Sequence, residues 1–221
     1  MSNFVIGLDL GQASDYTALA IVERIAQFDG YRKELPPMLH CRHLERFPLG
    51  TLYPDIVAKG VGMLDTPLLR GAQLVLDATG VGRGVADMFT VAGVTPKPKK
   101  VVVTAGDSIN VAGGYWRVPK RDLVAAVQVP LQEKSLKFAD GLSLGPTLVQ
   151  EMLNFKVKIT ESAHDTYGAW REGEHDDLIF AVMLACWWAQ RPVRAPARSY
   201  NGWTGEESLD SDVIQLPFRT R

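Results

Sequence analysis

Apolar and polar positions along the chain predict strands first and β-α units afterwards. Phe4–Leu8 is an apolar run, Gly11–Asp15 is rich in turn formers, and Tyr16–Val22 is apolar again. This pattern predicts two strands joined by a tight turn. Met38–Phe47, bounded by Pro36-Pro37 and Pro48, predicts a third strand, with a polar hairpin tip over residues 27–37. Three strands in sequence predict an antiparallel meander, and Tyr53–Leu64 suits a helix after it. Gln73–Leu76 then predicts a short buried strand that closes on Asp77-Ala-Thr-Gly-Val-Gly-Arg-Gly84, with Val85–Val91 as a helix and Val101–Thr104 as the next strand. Ser108–Val118 predicts a hairpin with Gly113-Gly114 near its tip. Pro119 opens a helix at Lys120, which Pro130 should end or kink. Leu136–Phe138 is a short extended piece, Pro146–Leu153 a helix, and Phe155–Trp170 a hairpin turning near Ala163-His164-Asp165. Gly173–Asp177 leads into an apolar helix over Leu178–Gln190. Strands followed by β-α alternation point to an α/β fold, a mixed central sheet covered by helices.

Length and composition narrow the class without naming a function. The 221 residues suit one domain of ordinary core size, expected over 1–191. Periodicity fades from Pro192, so 192–221 is expected to be a flexible tail or a loosely docked strap. Apolar residues at 46% and charged residues at 22% exclude a disordered chain. Two cysteines, Cys41 and Cys186, are too few for a disulfide framework and lack metal spacing. No charged n-region precedes an apolar stretch, and the run Leu178–Ala189 is too short to span a bilayer. The expected setting is cytosolic and reducing. The net charge of −1 selects no partner class by itself.

The candidate chemistry lies in carboxylates at element ends. Asp9 follows an apolar strand, where a lone buried carboxylate is costly. Asp77 ends a later strand, at the edge where ligands of open α/β sheets gather. Asp176 and Asp177 open an apolar helix. Each also has a structural reading: Asp9 as a hydrogen-bond partner of the turn at Gly11, Asp77 as the acceptor of a β-α turn, Asp176 as an N-cap and Asp177 as a first-turn acid. Carboxylates gathered at one edge would repel and raise one another's pKa. Mg2+ or Mn2+ would relieve that repulsion, because hard cations take oxygen ligands. Two ions about 3.5–4 Å apart would activate a water and steady the leaving oxygen of a phosphodiester. The glycines at 80, 82 and 84 match neither a P-loop nor the dinucleotide fingerprint.

Charge is also unevenly placed. Residues 97–137 hold eight basic side chains against Asp107, Asp122 and Glu133, a local charge of +5. Lys97, Lys99, Lys100, Arg117, Lys120 and Arg121 are the candidate contacts to a nucleic-acid backbone, with Tyr115 and Trp116 adding aromatic surface. A solvated basic face is the alternative.

Four stretches together resemble the nuclease domain of tailed-bacteriophage terminase large subunits, a family with an RNase H-like, resolvase-like fold. They are Gly7-Leu-Asp-Leu-Gly11 with Asp15-Tyr-Thr-Ala18, Leu74-Val-Leu-Asp-Ala-Thr-Gly-Val-Gly82, Tyr115-Trp-Arg-Val-Pro-Lys-Arg-Asp-Leu123, and His175-Asp-Asp-Leu178. In order and spacing they cover roughly residues 4–190. The first motif alone is shared with actin-like ATPases and sugar kinases; the combination is more specific. The resemblance implies a mixed sheet with an inserted β-hairpin and metal ligands at Asp9, Asp77 and one or both of Asp176 and Asp177. It further implies two Mg2+ or Mn2+ ions and endonucleolytic cleavage of double-stranded DNA during genome packaging. Its partners would be a packaging ATPase domain or subunit, portal and small terminase, in the cytoplasm of an infected bacterium. Large subunits carry an N-terminal packaging ATPase, and this sequence starts directly on the first strand. The expectation is an excised domain or a separately encoded nuclease subunit, monomeric when isolated. A Holliday-junction-resolvase-like nuclease, an actin-like nucleotide-binding fragment and a non-catalytic packaging module are the rival readings.

Overall fold

β1 (Phe4–Asp9), β2 (Ala18–Phe28) and β3 (Glu34–Arg46) form the expected antiparallel meander. The computed structural model describes residues 2–11, 15–31, 33–161 and 175–191. The described residues belong to one unit, Met1–Arg191. After α1 (Tyr53–Leu64), three further strands join in parallel: β4 (Gln73–Asp77), β5 (Lys99–Thr104) and β7 (Tyr115–Pro119). α2 (Gly82–Val91) links β4 to β5, and β6 (Asn110–Ala112) pairs antiparallel with β7 as the hairpin at one edge. α3 (Lys120–Gln132) leads to β8 (Leu136–Phe138), which returns parallel to β3 at the other edge. α4 (Gly145–Glu161) and α5 (Asp177–Ala189) are the last elements among the described residues, and the sheet order is β6-β7-β5-β4-β1-β2-β3-β8.

Alternation along the strands divides the core in two. Ile6, Leu8, Leu74 and Leu76 pack with α1 and α2 through Ile56, Val85 and Phe89. Val5, Ala18, Ala20 and Val75 face the other way, onto α3, α4 and α5. α5 lies wholly in this second layer; no residue from Asp177 to Ala189 is exposed. Fully burying each of its large apolar side chains contributes about 1.5–3 kcal/mol, which fixes the helix to the sheet. Among the described residues, no helix is long and apolar enough to cross a membrane.

Several local expectations are corrected. Pro36 and Pro37 lie inside β3 rather than before it. β8 pairs only with Leu39–Cys41, so the prolines sit where that edge of β3 has no partner strand. Residues 155–161 are helical, not the start of a hairpin. Leu148, Glu151 and Phe155 are the buried residues of α4 among those whose burial is described, and this helical stripe overrides the alternation that follows Phe155. The turn expected at Ala163-His164-Asp165 and the tail over 192–221 lie outside the described residues. Pro130 does not stop α3, which runs two residues further. The carbonyl of Ala126, four residues back, is the one a proline cannot serve. It accepts instead from the Gln190 side-chain amide at 2.7 Å, which ties the end of α5 to α3.

Candidate functional site

Strand register places the first two acids side by side. Leu8 and Leu76 are partners on parallel strands, so Asp9 and Asp77 end β1 and β4 at the same level, on the α5 face. α5 runs antiparallel to β1. Its Ala181 carbonyl lies so close to Gly7 that a Cβ built there would fall 2.0 Å from it. From that contact, two residues of strand carry the chain about 6.6 Å to Asp9, and four residues of helix carry it about 6 Å to Asp177. The third acidic segment thus arrives level with the first two.

Asp9, Asp77 and Asp176 line one pocket of about 400 Å3, together with Thr79, Val103, Thr104, Ala105, Lys120 and Phe180. Asp77 is held by its own turn, its Oδ1 accepting from the Thr79 N–H at 2.8 Å. The Asp9 carboxyl accepts a backbone hydrogen bond from Leu10 at the start of the turn, and the Gly11 N–H donates to Thr17 Oγ1 at 3.2 Å. Asp176 stands at the N-cap of α5 but makes no side-chain cap hydrogen bond.

Asp177 is set apart from this lining. It is 5% exposed, with Oδ2 3.5 Å from an Arg46 guanidinium nitrogen and 3.7 Å from His175 Nδ1. Arg46 also pairs with Glu151, and its guanidinium lies 4.7 Å from the Tyr16 ring. Glu151 Oε2 accepts the Ile179 N–H at 2.9 Å. Arg46 and Glu151 were not singled out by the sequence pattern. The available signal was one acid on the stripe Leu148–Phe155 that the helix buries.

The electrostatics follow from crowding. Burial, then the charges of Asp77, Asp177 and Asp176, push the Asp9 carboxyl well above its ordinary value. Burial also raises Asp77, against the hydrogen bonds from Thr79. Burial raises Glu151 to about 7, opposed by the Ile179 N–H and Arg46. Burial raises Asp177 to about 6, opposed by Arg46 and His175. Acids raised on folding stabilise the fold fully below their unfolded values, and that stability is lost as pH rises through their folded values. For Glu151 and Asp177 the window runs from about 4 to about 7. In EDTA the melting temperature should fall from about pH 5 to about pH 7.5, and Glu151→Gln should flatten the fall. A rising profile for the wild type, or no flattening in the variant, would contradict this account.

The donor set is all oxygen and mutually repulsive, and Asp177 Oδ2 is buried without a hydrogen-bond partner among the described residues. In donor chemistry it fits a hard divalent cation. Among the described residues no three His, Cys, Asp or Glu side chains already form a metal-holding group.

The basic candidates divide by position. Lys120 lines the pocket, and Arg121 follows it, bonded to Asp107 Oδ1 at 2.8 Å. Lys99 and Lys100 are at the opposite end of β5, about 13–17 Å of strand from Thr104. Lys100 pairs with Asp87 at 2.8 Å, and Lys99 lies 5.0 Å from the Trp188 ring. The Lys97 carbonyl bonds Gln73 beside that same end, and Arg117 is exposed in mid-β7.

No protein-family model matches the sequence, and no curated protein does. Two solved structures align with most of the chain. The nuclease domain of g2p, the large terminase of bacteriophage SPP1, with bound Mn, aligns over 83% of this chain and 85% of its own at 12% identity, with a TM-score of 0.44. The large terminase nuclease from thermophilic phage G20c aligns over 82% of this chain and 80% of its own, at 18% identity and a TM-score of 0.50. The chain thus has the fold of a large terminase nuclease, an eight-stranded mixed sheet, antiparallel at its start and parallel beyond.

Proposed function

We propose that this chain is a divalent-metal-dependent endonuclease that cuts double-stranded DNA as the nuclease of a phage packaging terminase. The observation that carries the reading is the convergence of Asp9, Asp77 and Asp176 on one pocket at the carboxyl edge of the sheet. These three carboxylates are the proposed holders of Mg2+ or Mn2+, with Asp177 behind them. Bound there, such ions would lower the pKa of a water and neutralise charge on the phosphate and the leaving oxygen. The chain's own part is to hold these acids level with one another, and to present Lys120 to the phosphodiester from the same pocket. Backbone contacts at Lys97, Lys99 and Lys100 require a duplex that extends along β5 away from the pocket. In this reading a packaging ATPase, portal and small terminase are partners in the host cytoplasm.

The experiment is cleavage of a supercoiled plasmid with Mn2+, Mg2+ or EDTA, for wild type and Asp77→Ala, both checked for folding. Cutting should need the metal and disappear in the variant. A folded wild type that neither cuts nor binds metal would remove the nuclease reading for this chain.

A further inference from the structure

Glu151 is the buried acid for which the proposed chemistry has no use. It comes from α4, 5% exposed, and reaches the first turn of α5. With Asp176 at the N-cap, Ile179 is the third residue of the helix, and its N–H is the donor an N-cap side chain ordinarily accepts. Asp176 does not take that bond; Glu151 does, at 2.9 Å. The opposite side of Glu151 pairs with Arg46, and the same guanidinium nitrogen faces Asp177 Oδ2. Arg46 is itself level with the site: it pairs with Ala18 across β2, and Ala18 pairs with Asp9.

We propose that Glu151 and Arg46 are positioning residues that divide the Asp176–Asp177 pair: Glu151 caps α5 in place of Asp176, which lines the pocket, while Arg46 holds Asp177 behind it. This rests on the nuclease reading above. The two acids are adjacent in sequence and diverge by about 100° around a helix, so both cannot face the pocket from a regular first turn. A cap supplied from α4 keeps that turn regular and releases Asp176 from the role its position would assign. Neither positioning residue lines the pocket, so neither need touch the substrate.

The test is Mn2+ binding to the DNA-free full chain by calorimetry, alongside cleavage as a function of Mn2+ concentration. Glu151→Ala and Arg46→Met, folded by circular dichroism, should bind Mn2+ about 10- to 100-fold more weakly, as when the partners that orient metal-binding carboxylates are removed. The KM for DNA should be unchanged and excess Mn2+ should restore cutting. Glu151→Gln keeps an acceptor for the Ile179 N–H and should retain more Mn2+ affinity than Glu151→Asp, which keeps the charge but withdraws the acceptor by one methylene. A merely structural brace would lower the melting temperature and leave the Mn2+ midpoint alone. Should the Ala or Met variant not fold, Glu151→Asp decides, and wild-type Mn2+ affinity in it overturns the proposal. If the wild type binds and cuts while the variants match it, only the positioning role is lost. If the wild type neither binds nor cuts, the nuclease reading falls and the positioning role with it.

Discussion

Asp9→Asn is expected to abolish cleavage and, at the same time, to stabilise the metal-free protein. The amide matches the carboxylate in shape, so packing against α5 is kept. It removes a charge that burial and three neighbouring acids oppose. With the ligand gone, plasmid cutting should fall by about 10^3-fold or more, equivalent to ~4 kcal/mol of barrier. In EDTA at neutral pH the variant should gain about 1–2 kcal/mol, read as a rise in melting temperature of about 2–8 °C. Opposite signs for stability and activity are the signature of a site whose geometry the fold tolerates for the sake of its ligand. An Asp9→Asn protein that cuts normally would take Asp9 out of the site. One that is less stable without metal would show that Asp9 is a satisfied structural acid.

Gly7→Ala is expected to be the most disruptive single methyl in the described chain's first strand. Its Cβ would stand 2.0 Å from the Ala181 carbonyl oxygen and 2.9 Å from the Ala185 nitrogen, both backbone atoms of α5. A backbone cannot swing aside as a side-chain tip can, so the helix must lift or β1 must leave the sheet. Loss of more than about 4 kcal/mol, or of cooperative unfolding altogether, is the expected result in a denaturant titration. Gly62→Ala, in α1 with no heavy atom within 4 Å of the added carbon, is the control. It should be neutral or stabilise by up to about 1 kcal/mol. Similar unfolding midpoints for the two variants would mean that α5 does not press on β1 as described.

What the sequence disclosed, and what it hid, follows from the range of each signal. Asp9 and Asp77 were legible because each interrupts an apolar strand at its end, and parallel pairing of such strands brings their ends together. The meander and the β-α units were legible for the same reason: period and turn residues are local. Ambiguity between Asp176 and Asp177 could not be resolved locally, because the atoms that separate them, in Arg46 and Glu151, lie 131 and 26 positions or fewer away and on other elements. The basic count over residues 97–137 carried no information on where in the fold its members lie. A sum along the chain does not distinguish the two ends of a strand, so Lys99 and Lys100 were grouped with Lys120 although β5 separates them. The helix through Phe155 was missed because alternation after it competed with the longer stripe from Leu148.

α5 has one more consequence, for how such a protein diverges. Most helices keep a solvent face on which almost any polar residue serves, and sequence change accumulates there. α5 has none between Asp177 and Ala189: one side meets β1 and β2, another meets α3, and α4 reaches its start. Drift is therefore pushed onto α1, α2 and the hairpin edge. Among distant relatives the apolar segment behind the acidic pair should stay recognisable after the rest of the chain has become unalignable.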